Sequence, residues 1–245
     1  MKKTAFVLLV LSLMLTMTAT SIAAKPVLKV GTEATFVPFE TVDEKTNEVI
    51  GFDVDLMKAI GDIIGYEIQF YNMGWDGLIP SLLNGNIDVI AAGMTITEDR
   101  AKVVNFSDPY FESVLTIVVR KDNNTIKGFE DLENKTIAVQ LNTTGDFVAE
   151  EIAGARIVRY NTAPEALQNV AMNAAHASII DLPVAETYLA KNPNAPLKHL
   201  GAIAMNEFFG LALRKQDTDL LKQINAALAQ IRADGTYQQI MDKWF

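Results

Sequence analysis

Residues 51–92 read GFDVDLMKAIGDIIGYEIQFYNMGWDGLIPSLLNGNIDVIAA, and this stretch decides the fold class. Phe52, Leu56, Ile60, Ile63 and Ile64 fall at helical spacing. Asp53 and Asp55 stand in that helix's first turn, where acids suit the helix dipole. Residues 67–71 form the next strand. Trp75, Leu78, Ile79, Leu82 and Leu83 then mark a second helix, stopped by Asn84 and Gly85. Residues 87–92 are an apolar run suited to a strand buried in a parallel sheet. Upstream, 27–30 is a short apolar strand ending at Gly31. Strand, helix, strand, helix, strand is the pattern of an open α/β lobe.

A second set follows the same plan. Strands are expected at 136–140, 156–160 and 177–180, with helices starting at 146, 164 and 183. Between the sets, 114–120 is a β-branched strand, and 208–213 is read as its return partner. Leu220, Ile224, Ala227, Leu228 and Ile231 give a long amphipathic helix, and Tyr237, Ile240, Met241 and Trp244 a terminal one. The expected architecture is two α/β lobes joined by a two-strand hinge, with a ligand cleft between them. The first lobe comprises 25–111 plus 208–245, and the second 112–207. Clefts of this kind place ligands at the carboxyl ends of strands and the N-termini of helices.

Composition removes most alternatives. The 245 residues carry 30 acids and 21 bases, a formal charge of −9. That balance argues against nucleic acid, which needs a basic face to release counterions. There is no cysteine, so disulfides, thiolate nucleophiles and thiolate metal sites are excluded. Two histidines leave little room for a histidine-based metal centre or an acyl-transfer triad. Lys2 and Lys3, the apolar run 5–17 and the small residues up to Ala23 and Ala24 have the order of a secretory signal peptide. Cleavage is expected after Ala23 or Ala24, and removal of 1–24 takes two lysines and no acid, leaving −11. No later stretch is long and apolar enough to span a bilayer, and no cysteine is available for lipid attachment. A free periplasmic protein is the expectation.

The sequence then resembles the periplasmic solute-binding proteins of ABC importers for polar amino acids, a family with the type II periplasmic-binding-protein fold. The landmarks are residues 31–40 (GTEATFVPFE), 51–56 (GFDVDL), 75–82 (WDGLIPSL), 92–100 (AGMTITEDR), 105–110 (NFSDPY), 181–183 (DLP) and 235–237 (GTY). Each is weak alone, and their order is specific. The resemblance implies that Arg100 takes the ligand α-carboxylate, a role suited to its bidentate guanidinium. Gly93 and Thr95 would contact the ligand, Asp181 its α-ammonium, and Phe36 and Trp75 would wall the cleft. Thr144, at the 142–145 turn, would add donors to the carboxylate. The family usually has glycine where Asn142 stands, and Asn tolerates the left-handed backbone such a turn needs.

Glu33 and Gln140 would face the ligand side chain. Glutamine-binding relatives tend to carry Lys at the position of Gln140 and His at that of Ile180, and neither is present. A basic amino acid is therefore expected, arginine ahead of lysine and histidine, with glutamine as the alternative. The implied partners are a free L-amino acid and a permease–ATPase complex of the inner membrane. No cofactor, metal or catalytic residue is implied. A small-molecule lyase or a sensor domain on the same fold is the competing reading.

Overall fold

The computed structural model describes residues 24–245, so the expected signal segment, save its last residue, lies outside the described residues. In chain order the elements are β1 (Val27–Thr32), β2 (Thr41–Val42), β3 (Val49–Ile50), α1 (Phe52–Ile64), β4 (Glu67–Asn72), α2 (Leu78–Leu83), β5 (Val89–Ile90), α3 (Glu98–Val103) and β6 (Val104–Phe106). Then come β7 (Phe111–Arg120), β8 (Thr136–Gln140), α4 (Thr144–Glu150), β9 (Arg156–Tyr160), α5 (Ala163–Ala171), β10 (Ala177–Asp181) and α6 (Leu182–Lys191). The chain closes with β11 (Leu197–Phe209), β12 (Ala212–Arg214), α7 (Thr218–Ala233) and α8 (Thr236–Trp244).

These elements build two α/β lobes, each on its own sheet. The first sheet has the order β4-β1-β5-β12-β6, with β1 parallel to both β4 and β5. The second has the order β11-β7-β10-β8-β9, with β8 parallel to β9 and β10. The helices follow their apolar stripes. Leu56, Met57 and Ile60 of α1 share one buried cluster with Ile224, Leu228 and Ile231 of α7 and Ile240 of α8. Lys243 and the Trp244 indole both donate to Asp55, at 2.6 and 2.8 Å. The C-terminal helices thus return to the first lobe. No helix of the described residues is long and apolar enough to cross a membrane.

The crossing differs from the expected one in one respect. The partner of β7 is the long strand β11, paired antiparallel from Leu197–Arg120 to Phe209–Phe111. The segment 208–213 is divided: its first two residues end β11, while Ala212 and Leu213 join the first sheet against β5 and β6. An apolar run does not reveal which sheet it enters, because both environments are buried. At the first-lobe end, Phe111 and Phe209 pack with Phe39, whose ring centroid lies 4.8 and 5.1 Å from theirs. Edge-to-face packing of this kind pins both crossing strands to that lobe. The third expected strand, 87–92, contributes only two residues to the ladder.

Candidate functional site

One cavity lies between the lobes, enclosing about 310 Å³ of space not filled by atoms and partly open to solvent. All nine residues singled out from the sequence line it: Glu33, Phe36, Trp75, Gly93, Thr95 and Arg100 from the first lobe, and Gln140, Thr144 and Asp181 from the second. Their placement follows from the fold. Glu33 follows the C-terminal end of β1, Gln140 and Asp181 end β8 and β10, and Thr144 starts α4.

Arg100 is held rather than loose. Thr97 caps α3 by accepting from the Arg100 backbone N–H, and the guanidinium donates to the Thr95 carbonyl at 2.8 Å and the Asn142 carbonyl at 3.1 Å. Its charge centre lies 5.2 Å from the centroid of the Trp75 ring, a cation–π distance. Burial lowers its pKa to about 10, which leaves it charged at neutral pH. Trp75 donates from its indole to the same Asn142 carbonyl at 3.2 Å, so one ring face serves Arg100 rather than the open cleft.

The turn at Asn142 does adopt the left-handed backbone, with φ of 59°. Its N–H donates to Asp146, whose buried carboxylate also takes Arg159 at 2.9 Å. Thr143 caps α4. Asp181 flanks α6 yet gives it no side-chain cap. Its carboxylate instead accepts from the Ser113 hydroxyl at 2.7 Å, and burial pushes its pKa up to about 7.

The Gly93 turn is shaped from beneath. Its φ is 52°, and a Cβ there would stand 2.8 Å from the Phe36 ring. Asp53 accepts from the Gly93 N–H at 2.8 Å and from the Tyr110 hydroxyl at 2.6 Å. Burial raises Asp53 to about 6. Glu40, fully buried beside it, is raised well above the usual carboxylate range by burial and by Asp53.

At the far end, Glu33 is 5% exposed. It accepts from Thr35 at 2.7 Å and, at a long 3.4 Å, from the Gln140 amide. Gln140 also donates to the Asn161 carbonyl. Burial raises the Glu33 pKa, and no cation of the described residues forms an ion pair with it. His176 accepts from the Thr136 N–H at the start of the second-lobe sheet, a structural contact.

Sequence reading missed Glu40, Ser113 and Glu207. Glu40 sits inside a quoted landmark, and its apolar neighbours Phe39 and Val37 were the available signal. Glu207 was legible only as the single acid of the run 197–209, beside Asn206 and ahead of two phenylalanines. Its carboxylate accepts from the hydroxyls of Thr95 and Thr144, at 2.9 and 3.0 Å.

Residues 28–245 match the bacterial extracellular solute-binding proteins, family 3. The chain is 34% identical to the ABC transporter arginine-binding protein 1 of Escherichia coli, covering 97% of this chain and 98% of that one. It is also 34% identical to a probable histidine-binding protein of Neisseria gonorrhoeae, covering 91% and 85%. Among solved structures, an ancestral arginine-binding protein bound to arginine superposes with a TM-score of 0.86 at 45% identity, over 91% of this chain and 99% of that one. An ancestral arginine-binding protein bound to glutamine gives 0.84 at 44%, over 90% and 98%. The chain belongs to the family 3 extracellular solute-binding proteins, a family of binders rather than enzymes.

Proposed function

We propose that this protein is the soluble substrate-binding component of an ABC amino-acid importer and that its ligand is a cationic amino acid, arginine ahead of lysine and histidine. One observation carries the choice: Glu33 lines the cavity, is buried, and forms no ion pair with any cation of the described residues. A buried carboxylate is costly unless a charge or several donors meet it. Arg100 and Asp181 match the two charges of any amino acid's α-carbon end. Glu33 is left over, and a side-chain guanidinium supplies its partner bidentately. Gln140 adds an amide oxygen at the same end.

Capture would proceed by hinge closure about β7 and β11. The first lobe, 25–111 plus 208–245, offers Arg100, Gly93, Thr95, Phe36 and Trp75. The second, 112–207, closes with Thr144, Asp181 and Gln140. The liganded protein would dock on a permease whose ATPase drives import. Export by a cleaved signal segment, without a lipid anchor, fits a protein working free in the periplasm.

A thermal-shift panel of the common amino acids tests this reading. A ligand at about 1,000 times its dissociation constant adds roughly 4 kcal/mol to unfolding. Arginine should give the largest shift. A largest shift from glutamine or an acidic amino acid overturns the cationic choice, and no shift from any amino acid overturns the function. Glutamine is the second reading, favoured by the Gln140 amide beside Glu33.

A further inference from the structure

Glu207 lies on β11 directly opposite Ser113 of β7, on the strand pair that crosses between the lobes. Neighbours in an antiparallel register present their side chains to the same side. Ser113 donates to Asp181, and Glu207 receives one hydroxyl from each lobe, Thr95 from the first and Thr144 from the second. Both hydroxyls meet the same oxygen, Oε2. Burial raises the Glu207 pKa, while Thr144, Thr95 and the nearby Arg100 charge favour its ionised form.

A hydroxyl has a single proton and two lone pairs, and a carboxylate can only accept. Once Thr95 and Thr144 have given their protons to Glu207, neither can donate to a ligand carboxylate. Both can still accept. We propose that Glu207 is a positioning residue: it turns the hydroxyls of Thr95 and Thr144 into acceptors and so makes this side of the cleft, beside Asp181, the seat of the ligand's α-ammonium. The α-carboxylate is left to Arg100 and backbone N–H donors. The inference deepens the amino-acid-binding reading and rests on it. It also explains why an acid stands on the crossing strand. Reaching both lobes from the hinge, it sets hydroxyl polarity only when the cleft is closed.

The test compares L-arginine with 5-guanidinopentanoate, which lacks only the ammonium, by calorimetry on the mature protein. Wild type should prefer arginine. Glu207→Ala should lose about tenfold in arginine affinity, the scale of a charge-assisted hydrogen bond, and change its affinity for the desamino analogue by less than about threefold. The preference for the ammonium therefore collapses. Glu207→Gln keeps the side chain's volume and its accepting oxygen, so its preference should fall between the two, and it decides the matter if the alanine variant does not fold. Equal losses for both ligands would mean a merely structural role and overturn the proposal. Tighter arginine binding by Glu207→Ala would mean that Glu207 occupies the ligand's place, and overturns it as well. If wild type takes glutamine instead of arginine, the cationic choice fails, and glutamine with 5-amino-5-oxopentanoate reads Glu207 in the same way. A wild type that binds no amino acid overturns both readings.

Discussion

The two ends of the cleft are built on opposite principles. At one end Arg100 is firmly held, with donors to spare: two carbonyls, an indole face and two carboxylates within electrostatic reach surround it. At the other, Glu33 has one hydroxyl and a long contact to an amide. The first end is rigid and suits the atoms shared by all amino acids. The second is under-satisfied and suits a side chain that brings its own donors. On the proposed reading, general recognition and discrimination fall to different residues of one cavity.

Breaking the rigid end should have the largest effect. Arg100→Ala removes the cation proposed to meet the carboxylate and the clasp on the Asn142 turn of the other lobe. Truncating one partner of a buried charge pair costs about 2–5 kcal/mol, so binding of every amino acid should fall by a factor of roughly 30 or more. Calorimetry that finds nearly unchanged affinity removes Arg100 from the site. Breaking the other end should be selective. Glu33→Gln should weaken arginine by about tenfold or more while changing glutamine by a few-fold at most. Equal losses for the two would erase the distinction between the ends.

A pH series sharpens the contrast without mutation. Asp181 is raised from 3.8 to about 7 by burial, against the opposing influence of Ser113 and Arg100, and with Glu207 adding to the rise. An ammonium needs the ionised form, so below pH 7 a proton competes with the ligand. Affinity should fall by up to about tenfold per pH unit there and level off above 7. Stability of the ligand-free protein runs the other way. Between about pH 4 and 7 the folded state keeps a proton that the unfolded chain has released, so stability declines as pH rises through that window. Glu33 and Glu207, also raised by burial, act in the same direction. A flat affinity profile from pH 5 to 8 would show that Asp181 does not meet the ammonium.

Much of this was written locally in the chain. Strands β8 and β9 were bounded correctly because apolar periodicity and their flanking residues agree over five residues each. The Asn142 turn could be read from one residue's tolerance of positive φ. The long return strand β11 was not legible, since its register shifts twice and its apolar pattern breaks with it. Nor was Glu207, whose partner Thr95 lies 112 positions away in the chain. Periodicity says which face of an element is buried, but not which distant hydroxyl faces it. The cavity residues came from the resemblance to the family, most of them inside its landmarks, and spacing alone would not have brought Glu33 and Gln140 together.

The smallest expected effect probes how firmly the open end holds its acid. Thr35 stands two residues after Glu33 and donates to its Oε1 at 2.7 Å. This bond fixes the carboxylate's rotation, and it also favours the ionised form against the burial that raises its pKa. Thr35→Val keeps the shape and removes the donor. Glu33 then loses one of its two side-chain contacts and becomes easier to protonate. Arginine affinity should drop by about three- to tenfold, the range of one hydrogen bond to a charged group. The drop should be steeper at pH 6 than at pH 8, because the proton that Thr35 helped to exclude competes with the ligand's cation. Glutamine, which needs no ionised partner, should show little of that pH dependence. If both ligands lose equally at both pH values, Thr35 acts only by packing, and the Glu33 end is no more discriminating than the Arg100 end.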